Sequence, residues 1–508
     1  MHSRPPTRLI TPYSGRELFL LANVRAFHAS PKNEVSPAFL LGLLKSSSAL
    51  GVTKMVSRIS LSLLPVFLVK KMKFVLILAW QMTRWLRRAM RRPGVDDAYS
   101  ERRTDVLLRL SKLNRWMTAM IALPTVLLVL TFVASMERTP ITGRWRVILL
   151  SPTEEETISN ELSGNGWYSA VCDILTSQSE DQKTPPVLMP RTDWRWNWVD
   201  QTLRRLEAAV HLIHEGEQQN DSGVLLPPPS RYPLVPRPRA SQLIHSIPPS
   251  GPPYSLLIVE NPERNAFSYG FGANGAGGLV LYTGFLDDVL RKYGAPQVSS
   301  NPKKSFAFIF RLSVTSPTDE QTSALATLLA HELAHLVLSH HLETLSSGSI
   351  LVPTLSGMVV DFARVILFPI TFLFGPFVGD ALADVSKIGM GKVSSKTESC
   401  TSRQLELEAD LISVRLMSLA GFSPHRAVEF WESRLDDNEA LDADLQSASP
   451  AKLHDSSSSF WNPHANYDGD LDSHPIGSER VRRLKDELDR WAQARQNVLG
   501  SRSKVERP

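Results

Sequence analysis

Ala324-Leu-Ala-Thr-Leu-Leu-Ala-His-Glu-Leu-Ala-His-Leu-Val-Leu-Ser-His-His341 decides the fold, and within it the pentapeptide His331-Glu-Leu-Ala-His335 decides the chemistry. A helix turns about 100° per residue, so His331 and His335 lie one above the other on one face. Two imidazoles so placed can bind a single Zn²⁺, and Glu332 sits beside them as a general base for a water molecule. The alternative is a solvated His-Glu pair on a surface helix. Leu328, Leu329, Leu336 and Val337 argue against it, because they wrap the motif in apolar side chains. Upstream, Ser316-Pro-Thr-Asp319 makes a start resembling a capping box, with Pro in the first turn. That start independently places residues 317–345 on a helix.

Two histidines leave a tetrahedral site incomplete, since a catalytic zinc takes three protein ligands and keeps a fourth position open. A second helix is expected over Ser402-Arg-Gln-Leu-Glu-Leu-Glu-Ala-Asp-Leu-Ile-Ser-Val-Arg-Leu-Met-Ser-Leu-Ala-Gly421, capped by Ser402 and stopped by Gly421. Glu406 and Asp410 share one of its faces. That spacing lets Glu406 bind the metal while Asp410 holds a ligand histidine by its other ring nitrogen. Glu408 points about 200° from Glu406 and reads as an ordinary surface acid. A plain surface helix carrying all three acids remains the competing reading.

His-Glu-x-x-His followed by Ser-Arg-x-x-Glu-x-x-Ala-Asp resembles the zinc peptidase clan of HtpX and the CAAX prenyl proteases. The mitochondrial branch, the OMA-type metalloendopeptidases named for activity overlapping with the m-AAA protease, is the closer likeness. It is carried further by Thr142-Gly-Arg-Trp-Arg146, Asn265-Ala-Phe267, Gly278-Leu-Val-Leu-Tyr-Thr-Gly-Phe-Leu286 and Ser473-His-Pro-Ile-Gly-Ser-Glu-Arg480. The likeness spans roughly residues 140–485. It implies Zn²⁺, one per subunit, held by His331, His335 and Glu406, with Asp410 behind them and Glu332 as catalytic base. It also implies that His474 approaches the metal, as oxyanion partner or latent fourth ligand, and that Arg480 lies at the cleft. The implied fold is α+β and mainly helical, a zincin-like (gluzincin) domain with a small sheet, preceded by one transmembrane helix. Inner-membrane protein substrates, quality control, stress-triggered processing and a homo-oligomer are implied by the likeness alone. No nucleic-acid partner is expected.

Other residues are less informative. His340 lies nine residues past His331, half a turn out of phase on a continuous helix, and is expected to pack or face solvent rather than join the metal. His341, His425, His454 and His464 are assigned nothing. Ser255-Leu-Leu-Ile-Val-Glu260 and Gly278-Leu-Val-Leu-Tyr-Thr283 read as strands between turn residues. In the resembled fold a strand here borders the cleft, and an extended substrate pairs with its free edge. Gly270-Phe-Gly-Ala-Asn-Gly-Ala-Gly-Gly278 lacks the Gly-Lys-Ser/Thr ending of a phosphate loop.

Charge divides the chain. Its 508 residues carry a net +5, yet residues 1–115 hold 21 Lys and Arg against 6 Asp and Glu. Arg4, Arg8, Arg16 and Arg25 face one early acid, Glu17, which together with scattered Ser and Thr is the pattern of a mitochondrial transit peptide over 1–35. A disordered basic tail is the alternative. Trp116–Ala134 has no charge, and as a helix it spans ~28 Å, close to a hydrocarbon core. Basic residues concentrate before it, which predicts that side in the matrix and the peptidase part in the intermembrane space. In the basic segment 36–115, Lys70, Lys71 and Lys73 split the apolar residues 59–80. This suits an interfacial helix on anionic lipid, a second span being the alternative. Val365–Val378 reads as a membrane-dipping or core hairpin.

A peptidase domain is expected over 140–499, with a Pro-rich insertion at 218–253, a Ser/Asp-rich insertion at 436–472 and a tail at 500–508. Residues 478–499 read as a charged helix packed through Val481, Leu484, Leu488 and Trp491. Cys172 and Cys400 lack metal-site spacing, and their pairing is a hypothesis. Two rival functions stand: an endoplasmic-reticulum prenyl-protein protease, which would need several clear spans, and a catalytically silent membrane scaffold.

Overall fold

The computed structural model describes residues 44–89, 97–178, 185–213, 225–234, 254–271, 276–293, 317–367, 403–435 and 478–505. The transit-like segment, the 436–472 insertion, His474, Cys400 and residues 368–378 lie outside them. Cys172 is half-buried and has no disulfide among the described residues.

Two long helices come first, α1 (Ser47–Ala89) and α2 (Asp97–Ser135). They pair as an antiparallel hairpin, in which the Lys71 ammonium donates to Asn114 at 3.3 Å and Lys45 meets Glu137 at 2.9 Å. The apolar run 116–134 is helical throughout, as its composition demands. The lysines of α1 do not break it into pieces, because an ammonium on a flexible stem is no obstacle to helix propagation. After α2, a two-stranded ribbon of β1 (Met136–Arg138) and β2 (Trp145–Val147) turns the chain into the body. Helices α3 (Pro152–Leu162), α4 (Asn165–Gln178) and α5 (Trp194–Ala209) follow.

A three-stranded sheet of β3 (Ser255–Val259), β4 (Ala266–Gly270) and β5 (Gly277–Tyr282) has the order β3-β5-β4. The two strands read from sequence, β3 and β5, pair in parallel, and β4 is antiparallel to β5. β5 is buried along its whole length because both its faces are covered. Leu279 and Leu281 join the main core, while Val280 and Tyr282 pack against Trp167, Val171 and Leu175 of α4. Period-two alternation is thus present but hidden, since both faces are apolar.

Behind the sheet stands α7 (Asp319–Val337), reached through α6 (Thr283–Lys292). Its N-cap is Thr318, with a full capping box to Gln321, two residues beyond the expected start at Ser316. The helix also ends earlier than the expected 345. Ser339 adopts a left-handed φ of 57°, so the chain breaks and restarts as α8 (His340–Thr344). A π-helical turn, Leu345–Leu351, leads into α9 (Val352–Ile366).

Residues 403–419 form α10, ended by Gly421 at φ +79°, as the sequence predicts. Residues 424–435 form α11, and α12 is Ser478–Val505. Val481, Leu484, Leu488 and Trp491 of α12 are all buried in the main core, as their helical spacing predicts.

Two expectations change. Residues 225–234 of the expected Pro-rich insertion are packed on the body. Arg415 donates to the Pro228 carbonyl, Ser418 to the Leu225 carbonyl, and Ile141 N–H to the Tyr232 carbonyl at 2.8 Å. Proline-rich backbone keeps its carbonyls as acceptors, and neighbours use them. In addition, among the described residues two helical stretches, where one was expected, are long and apolar enough to cross a membrane: Arg103–Ser135 and His340–Ile366.

Leu484 has no exposed surface, so Leu484→Ala should cost about 2–5 kcal/mol through lost burial and the cavity left behind. Denaturant unfolding of the detergent-solubilised full chain measures it, and a shift below 1 kcal/mol would mean that α12 is not docked as described.

Candidate metal centre

Helix α7 is buried all round from Ala324 to Leu336, apolar side chains taking every position that chemistry does not need. His331 and Glu332 have no exposed surface and His335 has 6 %. Helix α10 crosses beside α7 and brings Glu406 to the same point. His331 Nε2 lies 3.1 Å from Glu406 Oε2, His335 Nε2 lies 3.5 Å from Glu406 Oε1, and the two Nε2 atoms are 3.3 Å apart.

These three distances are themselves a test of fit. Ligand atoms at ~2.0–2.1 Å from a tetrahedral zinc stand ~3.3 Å from one another. His331, His335 and Glu406 therefore form a preassembled three-ligand face, the grouping the sequence predicts. Charge points the same way. Glu332, Glu343, Glu406, Glu408 and Asp410 are all buried within this region, against the guanidiniums of Arg144 and Arg480. Buried carboxylates in that excess are tolerated only where cations offset them, and a divalent ion would remove two of the three surplus charges.

The groups behind the ligands are equally ordered. Asp410 Oδ1 lies 3.0 Å from His331 Nδ1, the contact expected from helical spacing. Burial opposes ionisation of Asp410, but Arg480 and His331 more than reverse it and hold its pKa below the ordinary carboxylate value. Burial likewise disfavours a charged His331, yet Asp410 and Glu406 together raise its pKa. Both shifts describe one strong imidazole–carboxylate contact, which fixes the ring with Nε2 facing the ligand cluster.

Arg480, expected at the cleft, reaches this cluster from α12. Its Nε and Nη2 clamp Asp410 at 2.7 and 2.8 Å, and Nη1 lies 3.5 Å from Glu406. Its guanidinium also stacks over Trp431, 4.5 Å from the ring centroid, and Trp431 in turn packs edge-on against His331. Arg480 is 4 % exposed, so what it touches are the carboxylates that hold the ligand set.

One sequence expectation is corrected and another is refined. Glu408 is not a surface acid, being 4 % exposed. It accepts from Thr142 Oγ1 and from Arg144 Nε at 2.9 Å, and it faces His340 Nε2 at 3.4 Å. Burial raises its pKa, and these partners overcome that effect to bring it down to about 2. The 200° separation from Glu406 is real, but the opposite face of α10 meets the body instead of water. His340 is buried, and the break at Ser339 undoes the phase arithmetic of a continuous helix. Its Nδ1 comes to 3.0 Å from His335 Nδ1. It packs, as expected, and it touches a ligand without joining the ligand set.

His341 places Nε2 3.2 Å from Ser268 Oγ on β4. β4 is the strand bordering α7, and it was legible only as the Asn265-Ala-Phe267 motif. Tyr282 N–H donates to Asn265 O at 3.1 Å, so in this antiparallel pair the backbone groups of Ala266, Ser268 and Gly270 point away from β5. Asn265 Oδ1 takes the Ala266 N–H at 2.8 Å. No strand pairs with that edge among the described residues. The opposite edge, β3, is partly covered by residues 187–189: Met189 N–H donates to Ile258 O and Glu260 N–H to Val187 O.

Comparison with known proteins agrees with this geometry. Residues 239–488 match the model for peptidase family M48. Over 124 residues the chain is 31 % identical to the mitochondrial metalloendopeptidase OMA1 of Saccharomyces cerevisiae, a match covering 24 % of this chain and 30 % of that protein. The chain thus spans about a third of the length of the relative it matches. No solved structure matches. The ligand spacing and the family match agree: residues 239–488 resemble peptidase family M48, and the chain is similar to the mitochondrial metalloendopeptidase OMA1.

Proposed function

We propose that this chain is a zinc-dependent endopeptidase of the mitochondrial inner membrane. The observation that carries the reading is the buried face of His331 Nε2, His335 Nε2 and Glu406, set at tetrahedral spacing beside the Glu332 carboxylate. Zinc held there would polarise a scissile carbonyl and acidify a water. The chain's own residues do the rest. Glu332 takes a proton from the water on one carboxylate oxygen and delivers it to the leaving nitrogen. Asp410 orients His331, and Arg480 holds Asp410 and Glu406 in place while offsetting their charge. His474 is assigned to the oxyanion on the strength of the family resemblance.

Substrate enters extended along β4. The outward N–H and C=O of Ser268 and Gly270, with the C=O of Ala266, offer a ladder on the strand bordering α7. Backbone pairing of this kind accepts many sequences, provided that the segment is unfolded. That suits quality control and processing of damaged membrane proteins. The membrane helices and the basic segment 36–115 anchor the chain on anionic lipid, with the peptidase body in the intermembrane space, and the active form is a homo-oligomer.

Purified full-length protein should hold about one zinc per chain and lose cleavage of an unfolded membrane-protein substrate on chelation. Glu332→Gln should keep the zinc and lower kcat by about 10²–10⁴-fold. Wild-type turnover in that variant, read alongside its metal content, would end the mechanism.

Ser268→Pro removes one outward N–H without touching the pairing to β5. It should raise KM about tenfold, the worth of one hydrogen bond, with zinc content unchanged. An unaltered KM would place the substrate elsewhere. Protease protection in isolated mitochondria checks the orientation: rupture of the outer membrane alone should expose the peptidase body.

A further inference from the structure

His335 is gripped from its second ring nitrogen, and the grip is anchored far away in sequence. His340 Nδ1 stands 3.0 Å from His335 Nδ1. On its other side, His340 Nε2 faces Glu408 at 3.4 Å. Glu408 in turn accepts from Arg144 Nε at 2.9 Å and from the Thr142 hydroxyl. Arg144 completes the chain with both Nη atoms, each 2.7 Å from a Glu343 oxygen. An imidazole beside a carboxylate keeps its proton on the nitrogen facing that carboxylate. With the proton on Nε2, His340 would present a bare Nδ1 to His335, which would donate from its own Nδ1 and keep Nε2 as the ligand atom.

The turn that supplies Thr142 and Arg144 is built for that purpose. It joins β1 to β2 just beyond α2, and both Ile141 and Gly143 are left-handed, at φ 66° and 70°. A β-branched residue there is strained and persists only where its surroundings over-determine it. They do: Thr139 N–H donates to Arg144 O at 2.8 Å, Gly143 N–H to Thr139 O at 3.1 Å and Ile141 N–H to Tyr232 O at 2.8 Å. A Cβ on Gly143 would stand 2.2 Å from the Tyr232 ring, so only glycine fits.

We propose that the turn 139–144 is a positioning element of the metal centre, acting in series through Arg144, Glu408 and His340 to fix the ring of His335. The second ring nitrogen of each ligand histidine then has its own support, Asp410 with Arg480 for His331 and His340 with Glu408 and Arg144 for His335. Metal affinity depends on a turn that is continuous with the apolar helix α2. This inference rests on the zinc reading above.

The test is metal binding by the full chain in detergent, stripped of metal and titrated with Zn²⁺ against a chromophoric chelator and with Co²⁺ by visible absorption. His340→Leu and Arg144→Leu should each weaken zinc about 10–100-fold, the usual effect of losing an outer partner of a ligand histidine. The cobalt bands should shift, and melting of the metal-free His340→Leu protein should change little, whereas Arg144→Leu strands two buried carboxylates and should also melt lower. His340→Asn puts an amide oxygen near the lost Nδ1 and should restore most of the affinity. Because the residues act in series, the double Leu variant should be no weaker than His340→Leu alone, whereas additive losses would cut Arg144 out of the chain. If a Leu variant does not fold, Arg144→Lys carries the comparison: it keeps the charge, loses the forked contact and should weaken zinc while His340→Asn does not. Wild-type zinc affinity and an unshifted cobalt spectrum in folded His340→Leu overturn the proposal alone. Failure of the wild-type chain to bind zinc sinks the site reading with it.

Discussion

Burying several carboxylates beside two imidazoles is the constraint around which the rest of the molecule is arranged. Each carboxylate taken out of water costs several kcal/mol unless a cation and hydrogen bonds replace its hydration. Glu406, Glu408 and Asp410 lie within five consecutive positions of one helix and are all nearly inaccessible. Their partners come from three other parts of the chain: the ligand histidines on α7, Arg480 on α12 and Arg144 on the turn after α2. A helix so loaded could not sit at a surface facing one neighbour. It has to be enclosed, and the body is closed around it by elements that are distant in sequence.

Dryness at the metal group follows from the same enclosure. Around the polar residues of α7 the helix is Ala and Leu, and the Ala positions let α10 and the sheet approach closely enough for Glu406 to reach two imidazoles. Small residues toward the neighbours and large ones filling the corners set the interhelical distance, and that distance sets the spacing of the ligand atoms. Packing and coordination geometry are here one requirement. Trp431 shows it directly, since one ring supports the Arg480 guanidinium on one side and His331 on another.

The part of the site that local periodicity controls was legible in the sequence. Four-residue spacing put His331 over His335 and Glu406 with Asp410, and the apolar spacing of α12 named all four of its buried contacts. One error, at Glu408, and one contact left unseen, at His340, share a cause. Phase angles say which way a side chain points relative to its own helix, but not what stands there. Glu408 points away from Glu406, and what stands there is Arg144, 264 residues earlier in the chain. His340 was placed by assuming an unbroken helix, and one left-handed residue, Ser339, turned it back toward His335. β4 was hidden for a different reason: Ala-Phe-Ser-Tyr-Gly has little aliphatic content, because its inner face must leave room for α7.

The helical hairpin carries the argument one step further. Antiparallel pairing through Lys71 and Asn114 sets Lys70, Lys71 and Lys73 level with Lys112 and Arg115, so these five basic residues share one height. Apolar residues of α1 before those lysines, such as Leu63, Val66 and Val69, then run beside the uncharged part of α2, and they are exposed. α9 joins them: its Asp361 pairs with Arg58 of α1 at 2.9 Å, and its Val359, Phe362 and Ile366 face outward. Three helices thus present one apolar surface bounded by one basic belt, which is what a bilayer with anionic headgroups would require. α9 begins 17 residues after His335. In the proposed setting, that short connection keeps the metal within reach of segments just emerging from the membrane, and it limits cleavage to chains unfolded near that surface.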